Sequence, residues 1–396
     1  MERGVSRIRT YFGKVTMTDK TVAQDRTPLR IAVIGIKGIP ARYGGFETCA
    51  DETCRRLAAR GHYVTVYCRK GMGEAEPPEY AGIALRYIPF VESKNLATIT
   101  SSFLACLQAV RSDVEVIHLY TVGTALFIPW LRLAGKRTVI SVDALDWKRE
   151  KWSALAGQYM QFAARIAVRW ADELIIDSRV IQRYYKDHFR RLGAYVAFGA
   201  NVEQPRGTDL LRSFNLQPRK FILFVGILRP EKQVDHLIRA FNSLQQDEFD
   251  LAIVGDDPLG QKHVAWLKSL AGPRVRFLGR VYGEAFIQLC QNAYLYVTPS
   301  NVEGTSPALL GAMGAGCAVL VNGIPENLET IGNAGFSYRM NDVDDLRAQL
   351  VTLMHQPDLV AERGHMARER VLREYSWDAI TDAFEAIYYQ VRNGRR

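Results

Sequence analysis

The sequence has no uninterrupted apolar run long enough to cross a membrane. Its longest stretch without a charged residue lies between Glu303 and Glu326, and glycines and prolines interrupt it. A membrane-spanning helix needs about 20 consecutive apolar residues, so this stretch is predicted to be a buried strand and helix. The first 27 residues also lack an apolar segment, so we expect a flexible basic tail at 1–27 rather than a secretory signal.

The cysteines form neither a CxxC pair nor a cluster with histidine. They are Cys49, Cys54, Cys68, Cys106, Cys290 and Cys317. This scatter excludes a structural zinc and a disulfide scaffold and is typical of a reducing, cytoplasmic compartment. The acidic pair Asp256 and Asp257 follows a predicted strand and precedes a proline, which is the pattern of a turn cap, so no metal is expected.

The sequence also lacks the compositional bias of a disordered or fibrous chain. Hydrophobic residues make up 48% and charged residues 23% of its 396 residues, which is ordinary for a compact protein. This length predicts two domains, each large enough to bury a core. The 51 Lys and Arg against 42 Asp and Glu leave a net charge of +9, which suits an anionic partner such as a phosphate, a nucleic acid or an acidic lipid surface.

Short apolar runs alternate with helical patterns along the chain. Buried strands are predicted at 29–35, 63–68, 114–120, 137–143 and 172–178, and again at 221–228, 250–256, 274–279, 293–300 and 317–323. A polar, proline-containing segment at 200–219 separates the two series. The pattern predicts an α/β fold of two Rossmann-like, doubly wound domains facing a central cleft. We place them at 28–203 and 204–374, with a C-terminal helix, 375–396, that crosses back to the first domain.

The densest group of candidate binding residues lies in the segment TPSNVEGTSPALLGAM. Glu303 leads into the turn formed by Gly304, Thr305 and Ser306, and Pro307 stands at the first helical position. Backbone N–H groups at such a helix start would face an anion such as a diphosphate. Taken alone, an ordinary capped helix explains this turn equally well.

Cations follow the first strand of the second domain. Arg229 and Lys232 stand at the mouth of that sheet, where they would clamp a diphosphate leaving group, although a solvated basic loop is the simpler interpretation of this segment alone. In the first domain, Gly44 and Gly45 belong to a glycine-rich loop that is not GxGxxG. The second strand ends in Arg69, where dinucleotide folds usually carry an acidic residue, which argues against NAD and leaves NADP open.

In combination these segments resemble the GT-B retaining glycosyltransferases of family 4, in the bacterial polysaccharide, rhamnosyltransferase-like branch. The resembling segments are GIPARYGGFE, DALDWKREKW, VGDDP, RVRFLGRVYGE, VTPSNVEGTSPALLGAM and GIPENLE, and together they span most of the chain from Leu29 onward. The resemblance implies a GT-B fold with a nucleotide-sugar donor in the second domain and an acceptor in the first. It implies neither a metal nor a cofactor, because the nucleotide sugar is a substrate.

The resemblance also assigns roles to residues. It implies that Asp143, Lys232 and Glu303 are catalytic. The donor site would comprise Gly45, Arg229, Lys232, Glu303, Gly304, Thr305 and Ser306, and the acceptor site Gly44, Glu47, His118, Asp146 and Trp147. His118 follows a predicted buried strand, and a core histidine is an equally good interpretation of it.

Two positions depart from the pattern of that family. Ile227 stands where an arginine is usual, and Gly311 stands where a second glutamate holds the nucleotide ribose. Arg229 lies two residues further on and would point the same way from an extended backbone. Gly311 has no such replacement, because glycine contributes no side chain.

We therefore expect a hexosyltransferase-type enzyme that moves a sugar from a nucleoside diphosphate to a glycan or polyprenyl-diphosphate-linked acceptor in bacterial surface-polysaccharide synthesis. The basic and aromatic segments at 147–152 and 183–195 suit an anionic membrane surface, where the protein would be peripheral on the inner face of the plasma membrane, although a solvated helix face explains them as well. No nucleic-acid partner is expected. Two alternatives stay open: a catalytically degenerate GT-B protein that binds a glycan or a partner transferase, and an NADP-dependent oxidoreductase.

Overall fold

The computed structural model describes residues 27–41, 44–72, 75–93, 96–142, 154–244, 248–258 and 260–394. The predicted tail, apart from Thr27, lies outside these residues. So do Asp143, Asp146 and Trp147, three of the residues that the sequence assigned to the site. We describe the part of the chain around each of two β-sheets as one domain.

Eight strands form the sheet of the first domain. They are β1 (Arg30–Ile34), β2 (Tyr63–Arg69), β3 (Glu79–Tyr80), β4 (Ile83–Ile88), β5 (Val116–Tyr120), β6 (Arg137–Val142), β7 (Glu173–Ile176) and β8 (Ala194–Tyr195). Their order across the sheet is β3-β4-β2-β1-β5-β6-β7-β8. Neighbouring strands run parallel except for β3 and β4.

Six strands form the sheet of the second domain. They are β9 (Phe221–Val225), β10 (Asp250–Val254), β11 (Val275–Gly279), β12 (Leu295–Thr298), β13 (Val319–Asn322) and β14 (Phe336–Tyr338). Their order is β11-β10-β9-β12-β13-β14, and all neighbours are parallel. In each domain the chain therefore begins in the middle of its sheet and builds outward on both sides.

Helices follow most of the strands. In the first domain they are α1 (Gly45–Ala59), α2 (Ala97–Val110), α3 (Ile128–Leu133), α4 (Ala154–Trp170) and α5 (Arg179–Phe189). In the second they are α6 (Val234–Asn242), α7 (Gln261–Ser269), α8 (Gly283–Asn292), α9 (Pro307–Gly314), α10 (Pro325–Ile331), α11 (Val343–Met354) and α12 (Pro357–Glu374), and α13 (Trp377–Asn393) ends the described chain. Short 3₁₀ turns lie at Val122–Phe127, Asp209–Phe214 and Pro230–Lys232.

Each sheet is buried on both faces, as its continuous apolar strands require. Ile31 and Val33 of β1 pack into the core that contains α1 and α13, whereas Ala32 and Ile34 pack into a separate core with α2 to α5. The strands of the second domain likewise divide their side chains between two cores. The α/β, doubly wound fold predicted from the sequence is therefore confirmed.

The strands that the sequence analysis missed are short or lie near a sheet edge. β3 and β8 have two residues each and β14 has three, which is too short for a visible apolar pattern. β4 is longer, but Arg86 points outward from its middle and breaks the apolar run. At edges, tertiary pairing rather than local sequence decides whether a strand forms.

The last helix, α13, returns to the first domain. Arg60, the residue that follows α1, forms an ion pair with Glu385 of α13 at 2.6 Å. Ser376 caps the helix by accepting a hydrogen bond from the Ala379 N–H, as its sequence predicts. Ala200 N donates to the Tyr375 carbonyl at 2.8 Å, so the two segments that join the domains are bonded to each other.

His118 lies in the core of the first domain and not in a cleft, so its assignment to the acceptor site is wrong. It sits inside β5 and is fully buried. Its Nδ1 lies 2.7 Å from the hydroxyl of Tyr388 on α13, and its Nε2 lies 2.8 Å from the hydroxyl of Ser141. With both ring nitrogens partnered, the imidazole holds α13 against the sheet.

Burial also makes His118 a source of acid sensitivity. Burial lowers the pKa of His118 from 6.5 to about 3, so its contribution to stability is complete above pH 6.5 and is lost as the pH falls toward 3. We expect the free energy of unfolding of the natural protein to fall by about 2 to 3 kcal/mol more than that of His118→Gln between pH 7 and pH 4.5. Urea unfolding at both pH values measures this difference. Equal losses in the two proteins would contradict it.

Candidate functional site

The two domains meet where a parallel-sheet fold places ligands, at the carboxyl ends of the strands and beside the point where strand order reverses. In the first domain that point follows β1, and the loop leads into α1. In the second it follows β9, and the loop leads into α6. The glycine-rich loop and the Arg229–Lys232 segment, which the sequence singled out separately, are therefore equivalent positions in the two domains.

The N-termini of α1 and α9 touch across the domain boundary. A Cβ atom at Gly45, the first residue of α1, would lie 2.9 Å from Cγ of Pro307, the first residue of α9. The ring of Phe198 lies 3.5 Å from the same point. Gly45 is thus required for close contact between the two domains.

Gly35 is required by the packing of the loop against β5 and not by a ligand. Gly35 has φ +102, and a Cβ there would lie 2.3 Å from the carbonyl oxygen of Tyr120. Only glycine tolerates both the backbone angle and the close approach of β5. The loop after β1 is therefore packed tightly against the sheet before it reaches Gly44.

Glu47 holds the glycine-rich loop in place. Its carboxylate is buried and accepts hydrogen bonds from the Lys37 N–H at 3.0 Å and the Gly44 N–H at 3.2 Å. The second bond caps the start of α1, because the side chain of Glu47 in the first turn accepts from the backbone N–H of the residue that precedes the helix. Both bonds engage the protein's own backbone, so the structure gives Glu47 a positioning role in the loop to which the sequence assigned acceptor binding.

Lys232 and Glu303 come together as the resemblance implied. The Lys232 ammonium forms an ion pair with Oε1 of Glu303, and both side chains are largely buried, 22% and 10% exposed. Lys232 ends the 3₁₀ turn that follows β9, and Glu303 lies in the loop between β12 and α9. The pair thus stands beside the N-terminus of α9, whose partial positive charge also favours an anion.

Arg229 reaches the same region by a different backbone path from the one expected. Its N–H donates to the Ile227 carbonyl at 2.9 Å, so the chain turns between these residues and the extended-backbone argument for Arg229 is wrong. The Arg229 Nε lies 3.3 Å from Oδ2 of Asp257, which fixes the guanidinium. Asp256, the neighbour of Asp257, accepts from the Asp257 N–H at 2.9 Å and caps the turn as predicted.

The turn before α9 is engaged by the first domain. Gly304, Thr305 and Ser306 are buried. The Thr305 N–H donates to Oδ2 of Asp177 at 3.2 Å, and the Thr305 hydroxyl donates to the Asp177 carbonyl. The expectation that the Thr305 N–H is free to bind an anion is therefore wrong in this arrangement, because Asp177 occupies it. Ser306 caps the helix through the Leu309 N–H.

Asp177 also borders a small pocket in the first domain, closed on one side by α13. Phe46, Tyr120 and Phe198 supply its apolar wall, and Ser141 and Asp177 supply its polar atoms. The pocket lies next to the end of β6, the strand that precedes Asp143. The sequence analysis did not select Asp177, because one aspartate after a strand carries no distinguishing pattern.

A second bridge between the domains involves Glu329 of α10. Its carboxylate accepts from the Ser178 hydroxyl at 3.0 Å and from the Arg179 N–H at 2.9 Å, at the start of α5. An acidic side chain at a helix N-terminus is stabilised by the unpaired backbone N–H groups there. Sequence reasoning quoted this segment as GIPENLE but gave Glu329 no role, because its partners are 150 residues away.

The two departures from the family pattern differ in their surroundings. Ile227 is 44% exposed. At Gly311, in α9, a Cβ would lie 3.1 Å from the ring of Phe286 on α8. A glutamate at this position would therefore have to displace the Phe286 ring.

No helix in the described ranges is both long enough and apolar enough to span a membrane. The same part of the chain contains no group of three or more His, Cys, Asp or Glu side chains arranged to hold a metal ion.

The two domains match different known families. Residues 210–370 match the family described as "Glycosyl transferases group 1", and residues 29–201 match a domain of unknown function, DUF1972. The chain is 27% identical over 406 residues to alpha-maltose-1-phosphate synthase of Mycobacterium tuberculosis, covering 92% of this chain and 100% of the relative. It is also 27% identical over 198 residues to N-acetyl-alpha-D-glucosaminyl L-malate synthase of Bacillus anthracis, covering 48% of this chain and 51% of that relative.

Solved structures resemble the whole fold. Sucrose-phosphate synthase of Thermosynechococcus elongatus superimposes with a TM-score of 0.79 at 21% identity, over 92% of this chain and 99% of that one. HepE of Anabaena, solved with UDP and glucose, gives a TM-score of 0.75 at 17% identity, over 91% and 100%. The predicted GT-B fold is confirmed. This chain has the GT-B fold, and residues 210–370, in its second domain, match the family of glycosyl transferases of group 1.

Proposed function

We propose that the protein transfers a sugar from a nucleoside-diphosphate sugar to a glycan or lipid-linked glycan in bacterial surface-polysaccharide synthesis, with retention of configuration at the transferred sugar. The observation that carries this proposal is the Lys232–Glu303 pair beside the N-terminus of α9, within the group 1 domain. HepE, of the same fold, has been solved with UDP and with UDP-glucose, which supports a nucleotide sugar as the donor.

In this mechanism the second domain stabilises the leaving group. Negative charge grows on the diphosphate as the bond to the sugar breaks, and Lys232, Arg229 and the α9 N-terminus lie where they would stabilise it. Glu303 orients the Lys232 ammonium and would accept a hydroxyl of the donor sugar. Attack from the face of the departing phosphate, with that phosphate taking the acceptor proton, needs no carboxylate nucleophile.

A screen of donors tests the proposal. Purified protein is heated with UDP-, GDP- and dTDP-sugars, and with NADP⁺ for the oxidoreductase alternative. A ligand at 100 times its Kd adds about 2.7 kcal/mol to stability, which is a measurable rise in Tm. We expect one nucleotide sugar to stabilise the protein and to be turned over. Stabilisation by NADP⁺ alone would overturn the proposal.

The catalytically degenerate alternative has one observation in its favour. Phe286 packs against Gly311, so aromatic carbon stands close to the position where the family places a carboxylate for the ribose. Under this alternative the protein binds a glycan or a partner transferase and turns over no donor. Stabilisation by a glycan, together with the absence of nucleotide-sugar hydrolysis and transfer, would select it.

A membrane surface is a further part of the proposal. Arg183, Lys186 and Arg190 are exposed on or next to α5, and Leu192 beside them is 61% exposed. Cations near an apolar side chain suit an anionic, interfacial surface. The second basic segment, 147–152, lies outside the described residues.

We expect the protein to bind anionic vesicles and to be released by salt, because the attraction is screened within about 8 Å at physiological ionic strength. Arg183→Glu/Lys186→Glu should weaken binding in a sedimentation assay. Lys262→Glu/Lys268→Glu, an equal charge change on exposed positions of α7, is the matched control. Binding that is the same on neutral vesicles, or the same in both double variants, would contradict this prediction.

A further inference from the structure

A second group of cations faces the domain boundary from the first domain. Lys37 follows β1 and Arg69 ends β2, so both stand at the carboxyl edge of the sheet. The Arg69 N–H donates to the Lys37 carbonyl at 2.8 Å, which places the two residues side by side. Neither belongs to the Lys232–Glu303 pair.

The Arg69 side chain is held in place, but one of its hydrogen-bond donors has no acceptor among the described residues. One terminal nitrogen donates to the Thr98 hydroxyl at 2.6 Å, and the guanidinium lies 5.6 Å from the centre of the Phe90 ring. Its Nε is buried and has no hydrogen-bond partner among the described residues. A buried donor left without an acceptor is unfavourable, and an oxygen atom of a ligand would relieve it.

Cations of the second domain stand at the carboxyl edge of its own sheet. Arg229 follows β9 and the exposed Arg280 follows β11. Burial lowers the pKa of Lys37, Glu47 raises it, and the positive charges of Arg69 in the same domain and of Arg229 and Arg280 in the second domain lower it further. Burial also lowers the pKa of Arg69, with Glu47 opposing.

The charge balance of this cluster points to an anionic ligand. Glu47 is the carboxylate that favours the charged forms of both Lys37 and Arg69, and it already accepts two backbone N–H groups. Like charges crowded at a partly buried boundary are unfavourable without an anion between them. In the sequence, the only sign of this cluster was the basic residue at the end of β2, which kept an NADP-dependent enzyme as an alternative.

We propose that Lys37 and Arg69 bind a phosphate or diphosphate group on the acceptor, at a subsite distinct from the donor diphosphate at Lys232. The identification of the ligand as the acceptor rests on the proposed sugar transfer. The binding of an anion by Lys37 and Arg69 does not depend on it. A lipid diphosphate and a soluble sugar phosphate share this chemistry. The acceptor is thus held by its phosphate on the β2 side while its hydroxyl meets the donor sugar.

The test measures binding of inorganic pyrophosphate by calorimetry while the nucleoside diphosphate selected by the donor screen saturates the donor site. If no nucleotide binds, the same titration is run without one. We expect Arg69→Gln to weaken pyrophosphate binding about 10- to 100-fold, because one charge-assisted contact is lost while an amide can still reach Thr98. Lys70→Gln, the same charge change on the exposed neighbouring residue, should leave it unchanged.

The outcomes separate this proposal from the proposed function. Equal loss of pyrophosphate binding in both variants, or weaker nucleotide binding in Arg69→Gln, would overturn the separate subsite. If only Arg69→Gln loses pyrophosphate binding and the protein binds no nucleotide, the anion subsite is supported and the proposed sugar transfer is rejected. If transfer is established, KM is measured for a prenyl-diphosphate-linked sugar and for a free sugar 1-phosphate, to identify which of them supplies the phosphate group. Only the KM of the true acceptor should rise in Arg69→Gln. An unchanged KM for both would also overturn the proposal.

Discussion

Lys232→Ala is expected to lower the rate of sugar transfer by about 100- to 1,000-fold, the effect of removing one group that stabilises charge developing in a transition state. The Lys232 ammonium is paired with Glu303 beside the N-terminus of α9, where the leaving diphosphate would sit. Its removal opens no core cavity, because the Lys232 side chain, 22% exposed, lies in a 3₁₀ turn at the mouth of the sheet and outside the hydrophobic cores. The measurement is kcat and KM with the donor that the screen identifies.

The fold should survive this change. Glu303 loses its cation and is only 10% exposed, so we expect a loss of about 1 to 3 kcal/mol from a typical total of about 5 to 15. Glu303→Gln in the same chain removes the unpaired charge and should recover stability without recovering rate. Lys268→Ala on the exposed face of α7 is the control for loss of a lysine. Unchanged turnover in Lys232→Ala would remove this residue from the mechanism.

Gly45→Ala is expected to reduce transfer by about 10- to 100-fold while leaving the first domain at least as stable. Alanine is a better helix former than glycine by about 1 kcal/mol, and Gly45 begins α1. The new Cβ, however, would stand 2.9 Å from Cγ of Pro307 across the domain boundary. The domains must move apart to relieve this contact, and a displacement of about 1 Å between reacting groups can cost about 100-fold in rate.

A double-mutant cycle isolates that contact. Pro307→Ala removes the Cγ atom that meets the new methyl group, so the double variant Gly45→Ala/Pro307→Ala should recover most of the lost kcat/KM. Pro307→Ala alone should have little effect, because the N–H that proline lacks is one that the first turn leaves unpaired anyway. Additive losses in the double variant would show that Gly45 acts in some way other than domain contact.

The residues of the donor side could be found from the sequence, because they lie next to strongly patterned elements. Lys232 and Glu303 each follow a buried strand, and parallel strands bring such positions to one edge of a sheet. That rule and the resemblance assigned Lys232 and Glu303 to one candidate site, whereas the ion pair between them was not predicted. The glycine-rich loop was recognisable for the same reason.

The contacts that join the domains could not be found in this way. Asp177 meets Thr305 and Glu329 meets the start of α5 across separations of 128 and 150 residues. The path of Arg229 depended on a turn at 227–229, and the burial of His118 depended on α13. No local pattern encodes partners of this kind, because they exist only after two separate sheets have packed together.

Local sequence patterns were enough to predict the two α/β domains and most of their buried strands. These features depend on side chains within one element, since an apolar run or a capping serine acts over a few residues. Whether a polar group is free for a ligand or holds the protein together depends instead on how the elements pack. A carboxylate such as that of Glu47 or Asp177 is chemically the same in either role. Its hydrogen-bond partners determine which role it has, and several of them come from distant parts of the chain.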